Sequence, residues 1–155
     1  MQRRSFLKKT AAGSAAFTIV PSYVLGKGHV PPSDTLYVAA FGVGGRGAGV
    51  MRGLDETMKV KYVALCDVDE RRAASSFEKY PDVARYKDYR KVFDRHLGDM
   101  DAIMVATPDH THASIAATAI KMGKHIYCQK PLTHHVSEAR AMRKKAEEDG
   151  LITQM

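Results

Sequence analysis

The segment Leu36-Tyr37-Val38-Ala39-Ala40-Phe41-Gly42-Val43-Gly44-Gly45-Arg46-Gly47 decides the fold. An apolar run leads into a glycine-rich turn, and the turn opens a helix-forming stretch, Arg46–Leu54. Strand, glycines and helix in that order suit a dinucleotide pyrophosphate. Gly42 allows the tight turn. Gly44 lets the backbone come close to phosphate. Gly47 lets the helix pack on the strand, and the helix N-terminus turns its free N–H groups toward the anion. The hexapeptide alone is a weak signal, so the rest of the chain has to support it.

On the C-terminal side of this segment, strand-like and helix-like stretches alternate. Val60–Cys66 reads as a second strand, Glu70–Lys79 as a helix, and Ala84–Tyr86 as a short third strand. Tyr89–His96 reads as a helix and Ala102–Ala106 as a wholly apolar strand, the pattern of a strand covered on both faces. Ala113–Met122 reads as a helix closed by Gly123, and His125–Cys128 as a fifth strand. A last helix, capped by Ser137, runs to Asp149, and Leu151-Ile152-Thr153 starts a sixth strand. This alternation predicts an α/β protein with a Rossmann-type doubly wound parallel sheet and right-handed crossovers.

Two loops at strand ends then carry the chemistry. Asp67 follows the second strand, twenty residues after Gly47. A carboxylate there accepts hydrogen bonds from the adenosine ribose and repels a 2′-phosphate, which favours NAD over NADP. Arg71 and Arg72 follow within one turn and leave NADP open as the second choice. Thr107-Pro108-Asp109-His110-Thr111-His112 follows the fourth strand and borders the cofactor by the same rule. Metal ligation by its two histidines is the weaker reading, because no cluster of further ligands accompanies them. Gln129-Lys130-Pro131 ends the fifth strand. A lysine here points into the cleft, where a compact cation polarises a hydroxyl or carbonyl, and Pro131 fixes the backbone that aims it. The bland alternative is a surface lysine before a turn. Gly42 to Gly47, Asp67, Thr107, Pro108, His112, Gln129 and Lys130 are therefore the expected cofactor residues, and Lys130 the expected catalytic one.

The formal charge of +7 would suggest a nucleic-acid partner if it were spread over the domain. Five of those charges (Arg3, Arg4, Lys8, Lys9 and Lys27) lie in residues 1–30, which hold no acidic residue. The surplus of two on the remainder leaves no basic stripe, so no nucleic-acid partner is expected. Arg3-Arg4-Ser5-Phe6-Leu7-Lys8-Lys9 is a charged leader, and Ala11–Val20 a mildly apolar stretch too short to span a bilayer. A short N-terminal helix is the alternative. We read residues 1–30 as a twin-arginine signal peptide, 31–34 as a linker and 35–155 as the dinucleotide-binding domain. The expected partner is the Tat export machinery, the expected location periplasmic or extracytoplasmic, and no permanent membrane anchor is expected. Export of a folded protein suits one that must load a nucleotide first. Cys66 and Cys128 fall on strands three spacings apart, about 14 Å, beyond the ~7 Å reach of a disulfide. Both are read as buried thiols.

These residues together resemble the N-terminal half of the Gfo/Idh/MocA oxidoreductase family. The resemblance rests on Gly42–Gly47, Cys66-Asp67-Val68-Asp69, Thr107–Ala113 and Tyr127-Cys128-Gln129-Lys130-Pro131-Leu132, and covers roughly Thr35 to Met155. It implies an NAD(P)-dependent oxidoreductase of sugar or polyol hydroxyls, with Lys130 at the family's catalytic lysine and His112 at its Thr-Pro-Asn-x-x-His histidine. Gln129 stands where the family has Glu in Glu-Lys-Pro, and Asp109 where it has Asn. The family's second α+β domain, which completes the site and pairs subunits into homo-oligomers, has no counterpart in these 155 residues. The chain thus reads as the cofactor half. The alternatives are a nucleotide-binding module or gene fragment without catalysis of its own, and an NAD-assisted glycoside hydrolase.

Overall fold

The computed structural model describes residues 34–155. The proposed signal peptide and all of the linker except Asp34 lie outside the described residues.

Six strands form one parallel sheet: β1 (Leu36–Phe41), β2 (Val60–Cys66), β3 (Ala84–Tyr86), β4 (Ala102–Val105), β5 (His125–Cys128) and β6 (Thr153–Gln154). Their spatial order is β3-β2-β1-β4-β5-β6. Between them run α1 (Arg46–Glu56), α2 (Glu70–Lys79), α3 (Tyr89–His96), α4 (Asp109–Lys121) and α5 (Val136–Glu148). The order reverses between β1 and β4, and that switch point opens a crevice at the carboxyl ends of the strands.

Strand periodicity divides the core. Ala39 and Phe41 face one side, where they join Val92 and Phe93 of α3, Ile115 and Ile120 of α4, and Met142 of α5. Val38 and Ala40 face the other, with Met51 of α1 and Ala73 and Phe77 of α2. Both faces of β1 and β4 are covered, which is why their sequences are apolar without alternation. Phe41 stacks on Phe93 with ring centroids 5.5 Å apart, locking α3 under the switch point.

Several boundaries differ from the sequence reading: α1 runs to Glu56 rather than Leu54, β4 ends at Val105 rather than Ala106, α4 and α5 each end one residue earlier, and three larger differences have a local cause. Helix α4 begins at Asp109, not Ala113, because Pro108 occupies its N-cap and the polar tetrapeptide after it forms the first turn. Proline suits a helix start, since it has no N–H to leave unpaired. Helix α5 is capped by His135 rather than Ser137, and the Glu138 carboxylate accepts from the His135 amide at 3.0 Å. Strand β6 is Thr153–Gln154, paired to Ile126 and Tyr127. Gly123 sits one residue past the α4 cap, Met122, with φ +70°; its amide donates to Ile120 and that of Lys124 to Ala119, which closes the helix in a Schellman arrangement.

Cys66 and Cys128 are buried and unpaired. Burial, and then the nearby carboxylates of Asp67 and Asp88, push the Cys66 thiol up to about 12; burial alone takes Cys128 to about 11.

Candidate cofactor site

The glycines of the β1–α1 turn are placed by contacts that leave no room for a side chain. Gly42 has φ +75°, and a Cβ there would lie 2.5 Å from the Thr107 amide nitrogen. A Cβ on Gly47 would collide with the Gly42 carbonyl oxygen, so the first turn of α1 seats directly on the loop. A Cβ on Gly44 would come within 2.8 Å of the Arg72 carbonyl oxygen. Gly44 therefore also fits the loop against the start of α2, a constraint beyond phosphate approach.

Two side chains hold the loop from β2 and α2. The Asp67 carboxylate accepts from the Gly44 amide at 3.0 Å through Oδ2 and from the Asp69 amide at 3.0 Å through Oδ1. Ser76 donates its hydroxyl to the Val43 carbonyl at 2.6 Å. Each carboxylate oxygen keeps a free lone-pair direction, so Asp67 can brace the loop and still accept from a ribose hydroxyl.

A crevice of about 680 Å³ lies over this arrangement. Its walls include Gly42, Gly44, Arg46, Asp67, Thr107 and Pro108, so six of the residues expected at the site come together. Arg72, His110 and Thr111 also line it. The Thr111 hydroxyl stands 2.8 Å from both the Thr107 hydroxyl and the Pro108 carbonyl, which ties the loop after β4 to the first turn of α4. Gly45, exposed with φ +49°, forms the outer edge of the loop. Arg46 reaches across to β5, its Nε donating to Gln129 Oε1 at 3.4 Å.

Three expected residues stand elsewhere. Val43 is fully buried, packed in the core on the α1/α2 side with its carbonyl taken by Ser76, so it supports the loop from beneath. His112 is 1% exposed, and its two ring nitrogens each stand 2.7 Å from a main-chain carbonyl: Nδ1 from Pro131, Nε2 from Thr107. Both ring nitrogens face main-chain carbonyls, and His112 is not among the lining residues of the crevice. Lys130 is exposed at the end of β5, joined to Pro131 by a cis peptide bond. It is not among the lining residues of the crevice, and it makes no hydrogen bond or ion pair among the described residues.

Ser76 escaped the sequence reading. Its signal was a polar residue on the apolar face of a helix: it lies three residues after Ala73 and next to Phe77, and it is 4% exposed.

A parallel doubly wound sheet with a glycine cradle and an acid at the end of β2 defines a dinucleotide-binding domain. The family model described as the oxidoreductase family with an NAD-binding Rossmann fold matches residues 36–155, and the chain belongs to that family, Gfo/Idh/MocA. The domain binds NAD. The inositol 2-dehydrogenase of Salmonella typhimurium (strain LT2) is 27% identical over 118 residues, covering 75% of this chain and 34% of that protein. A glycosyl hydrolase family 109 protein of Shewanella pealeana is 30% identical over 138 residues, covering 84% and 28%. The crystal structure of myo-inositol 2-dehydrogenase from Lactobacillus plantarum superposes with a TM-score of 0.69 at 26% identity, covering 77% of this chain and 35% of that one. The chain spans about a third of the length of these relatives.

Proposed function

We propose that the protein acts in an NAD-dependent oxidoreductase that moves a hydride between the nicotinamide and a hydroxyl-bearing carbon of a sugar or polyol. The observation that carries this is the shared edge of the sheet. The glycine cradle after β1, the Asp67 carboxylate after β2 and Lys130 after β5 all stand at the carboxyl ends of parallel strands. Asp67 holds the ribose end, and the loop N–H groups hold the pyrophosphate. Lys130 then meets the reacting hydroxyl, binding its oxygen and favouring loss of its proton as hydride leaves the carbon. Bound NAD supplies the hydride acceptor. The dehydrogenase relatives support this reading, as does the place of Lys130 directly before a proline at the end of β5.

The test is NADH binding by the chain, together with NADH production from a panel of inositols and sugars in a preparation carrying the complete site. Lys130→Ala is expected to lower turnover by at least about a hundredfold while leaving NADH binding within a few-fold. Equal turnover in the variant overturns the role of Lys130.

The similarity to a glycosyl hydrolase family 109 protein favours a second reading, transient oxidation by bound NAD in the service of glycoside cleavage. It predicts product without net NADH, read at the nicotinamide absorbance band. For residues 1–30 we propose a twin-arginine leader and a periplasmic or extracytoplasmic destination. Arg3→Lys with Arg4→Lys should then hold the protein in the cytoplasmic fraction, and unchanged fractionation overturns it.

A further inference from the structure

His112 makes a contact that the cofactor reading leaves unused. It lies in the first turn of α4, it is buried, and its ring sits between two main-chain carbonyls, one five positions before it and one nineteen after: Thr107, just past β4, and Pro131, just past Lys130. Among the described residues, the main chain from Lys130 to Leu132 has two side-chain partners. One is His112 at 2.7 Å, and the other is the Cys128 thiol, 3.9 Å from the Leu132 carbonyl. A thiol is a weak donor, so the histidine dominates.

We infer that His112 is a positioning residue for Lys130: by donating from Nδ1 to the Pro131 carbonyl, it ties the segment bearing Lys130 to the first turn of α4, beside the loop that walls the cofactor crevice. Carbonyl oxygens only accept, so the tie requires a proton on the nitrogen facing Pro131, Nδ1. A neutral ring satisfies one of the two carbonyls, and a doubly protonated ring satisfies both. His112→Ala leaves the Pro131 carbonyl without its side-chain donor, while His112→Gln keeps a donor amide at nearly the same reach. The inference rests on the proposed role of Lys130 at the reacting end.

The experiment uses the whole chain. Nitrogen-15 spectra of the His112 ring report directly whether Nδ1 carries a proton. In parallel, lysines are methylated with carbon-13, the Lys130 signal is identified by its loss in Lys130→Arg, and its shift on adding NADH is followed. The expected result is a protonated Nδ1 and a Lys130 signal that responds to NADH. In His112→Ala the response should fall by at least half while NADH affinity changes by less than about threefold, and His112→Gln should recover part of it. A bare Nδ1, or an undiminished Lys130 response in His112→Ala, overturns the inference. If His112→Ala does not fold, the ring spectrum and His112→Gln decide. Failure of the unaltered chain to bind NADH instead counts against the proposed function, and the ring spectrum still tests the tie.

Discussion

The Asp67 carboxylate and the Gly44 amide are hydrogen-bonded at 3.0 Å, so the group expected to read the ribose also shapes the phosphate loop. This coupling predicts a larger loss than a single ribose contact would give. Asp67→Ala removes the acceptor for the Gly44 and Asp69 amides and the ribose partner at once. A hydrogen bond to a charged group contributes ~1.5–3 kcal/mol, so NADH affinity should fall at least about thirtyfold. Asp67→Asn keeps one acceptor oxygen and should fall less. Fluorescence titration with NADH measures both, and equal affinities in the two variants would show that the loop contact is idle.

The glycines of α1 and its loop make a paired test. Gly47→Ala drives a methyl group into the Gly42 carbonyl, and neither backbone can retreat without breaking the turn. We expect loss of NADH binding and a fall in thermal midpoint. Gly49→Ala, in the same helix, meets nothing within 4 Å. It should stabilise by ~0.5–1 kcal/mol, since alanine is the better helix former and the unfolded chain loses freedom. Thermal melts of the two proteins check this, and a shift of the same sign in both would refute it.

The features that could be read from sequence are those with a local cause. Apolar runs bounded by glycine or aspartate mark β1, β2, β4 and β5, and the Gly47-to-Asp67 spacing marks the two ends of one cofactor. What stayed hidden depends on partners distant in the chain. Ser76 bonds a carbonyl thirty-three positions earlier, and His112 one nineteen positions later. No periodicity encodes such pairs. The start of α4 was missed for a different reason. Asp109-His110-Thr111-His112 is polar and lacks a helical stripe, yet Pro108 initiates the helix and burial of His112 completes it. The exposed setting of Lys130 matches the alternative reading, a surface lysine before a turn; sequence could not choose between the two, because adjacency to a strand end does not fix which way a flexible side chain points.

The two buried thiols make stability depend on alkaline pH. Both have folded-state values raised above the ordinary thiol value, Cys66 to about 12 and Cys128 to about 11. The unfolded chain ionises its thiols near pH ~8.5 while the folded chain keeps them protonated. Their contribution is therefore whole below about pH 8.5 and is lost as pH rises toward the folded values. By about pH 10 each thiol should have cost ~1–2 kcal/mol. Tyr62, whose phenol burial also pushes up, adds to the loss at higher pH. Urea midpoints at about pH 7.5 and pH 10 measure the slope. The double variant Cys66→Ala, Cys128→Ala should show a shallower slope whatever its starting stability, and an unchanged slope would rule the thiols out.

Gln129 is the chain's clearest departure from the Glu-Lys-Pro pattern, and its contact with Arg46 says what the departure does. Arg46 Nε lies 3.4 Å from the Gln129 amide oxygen, an exposed contact between a cation and a neutral amide, so no carboxylate at this position offsets the guanidinium beside the phosphate loop. Gln129→Glu would turn the contact into an exposed ion pair, which contributes at most ~1 kcal/mol to stability. It would also place a negative charge near the pyrophosphate. NADH affinity should then fall about two- to fivefold at low ionic strength, because the loop loses net positive charge toward an anionic ligand. At about 0.5 M salt the Debye length drops to roughly 4 Å and the difference should largely vanish. Arg46→Ala should lower affinity in either background, and the Gln129→Glu effect should be smaller once Arg46 is gone. NADH titrations of the four proteins at two salt concentrations separate these outcomes. An effect of Gln129→Glu that is independent of both salt and Arg46 would show that the amide acts through its own hydrogen bonds rather than by leaving Arg46 uncompensated.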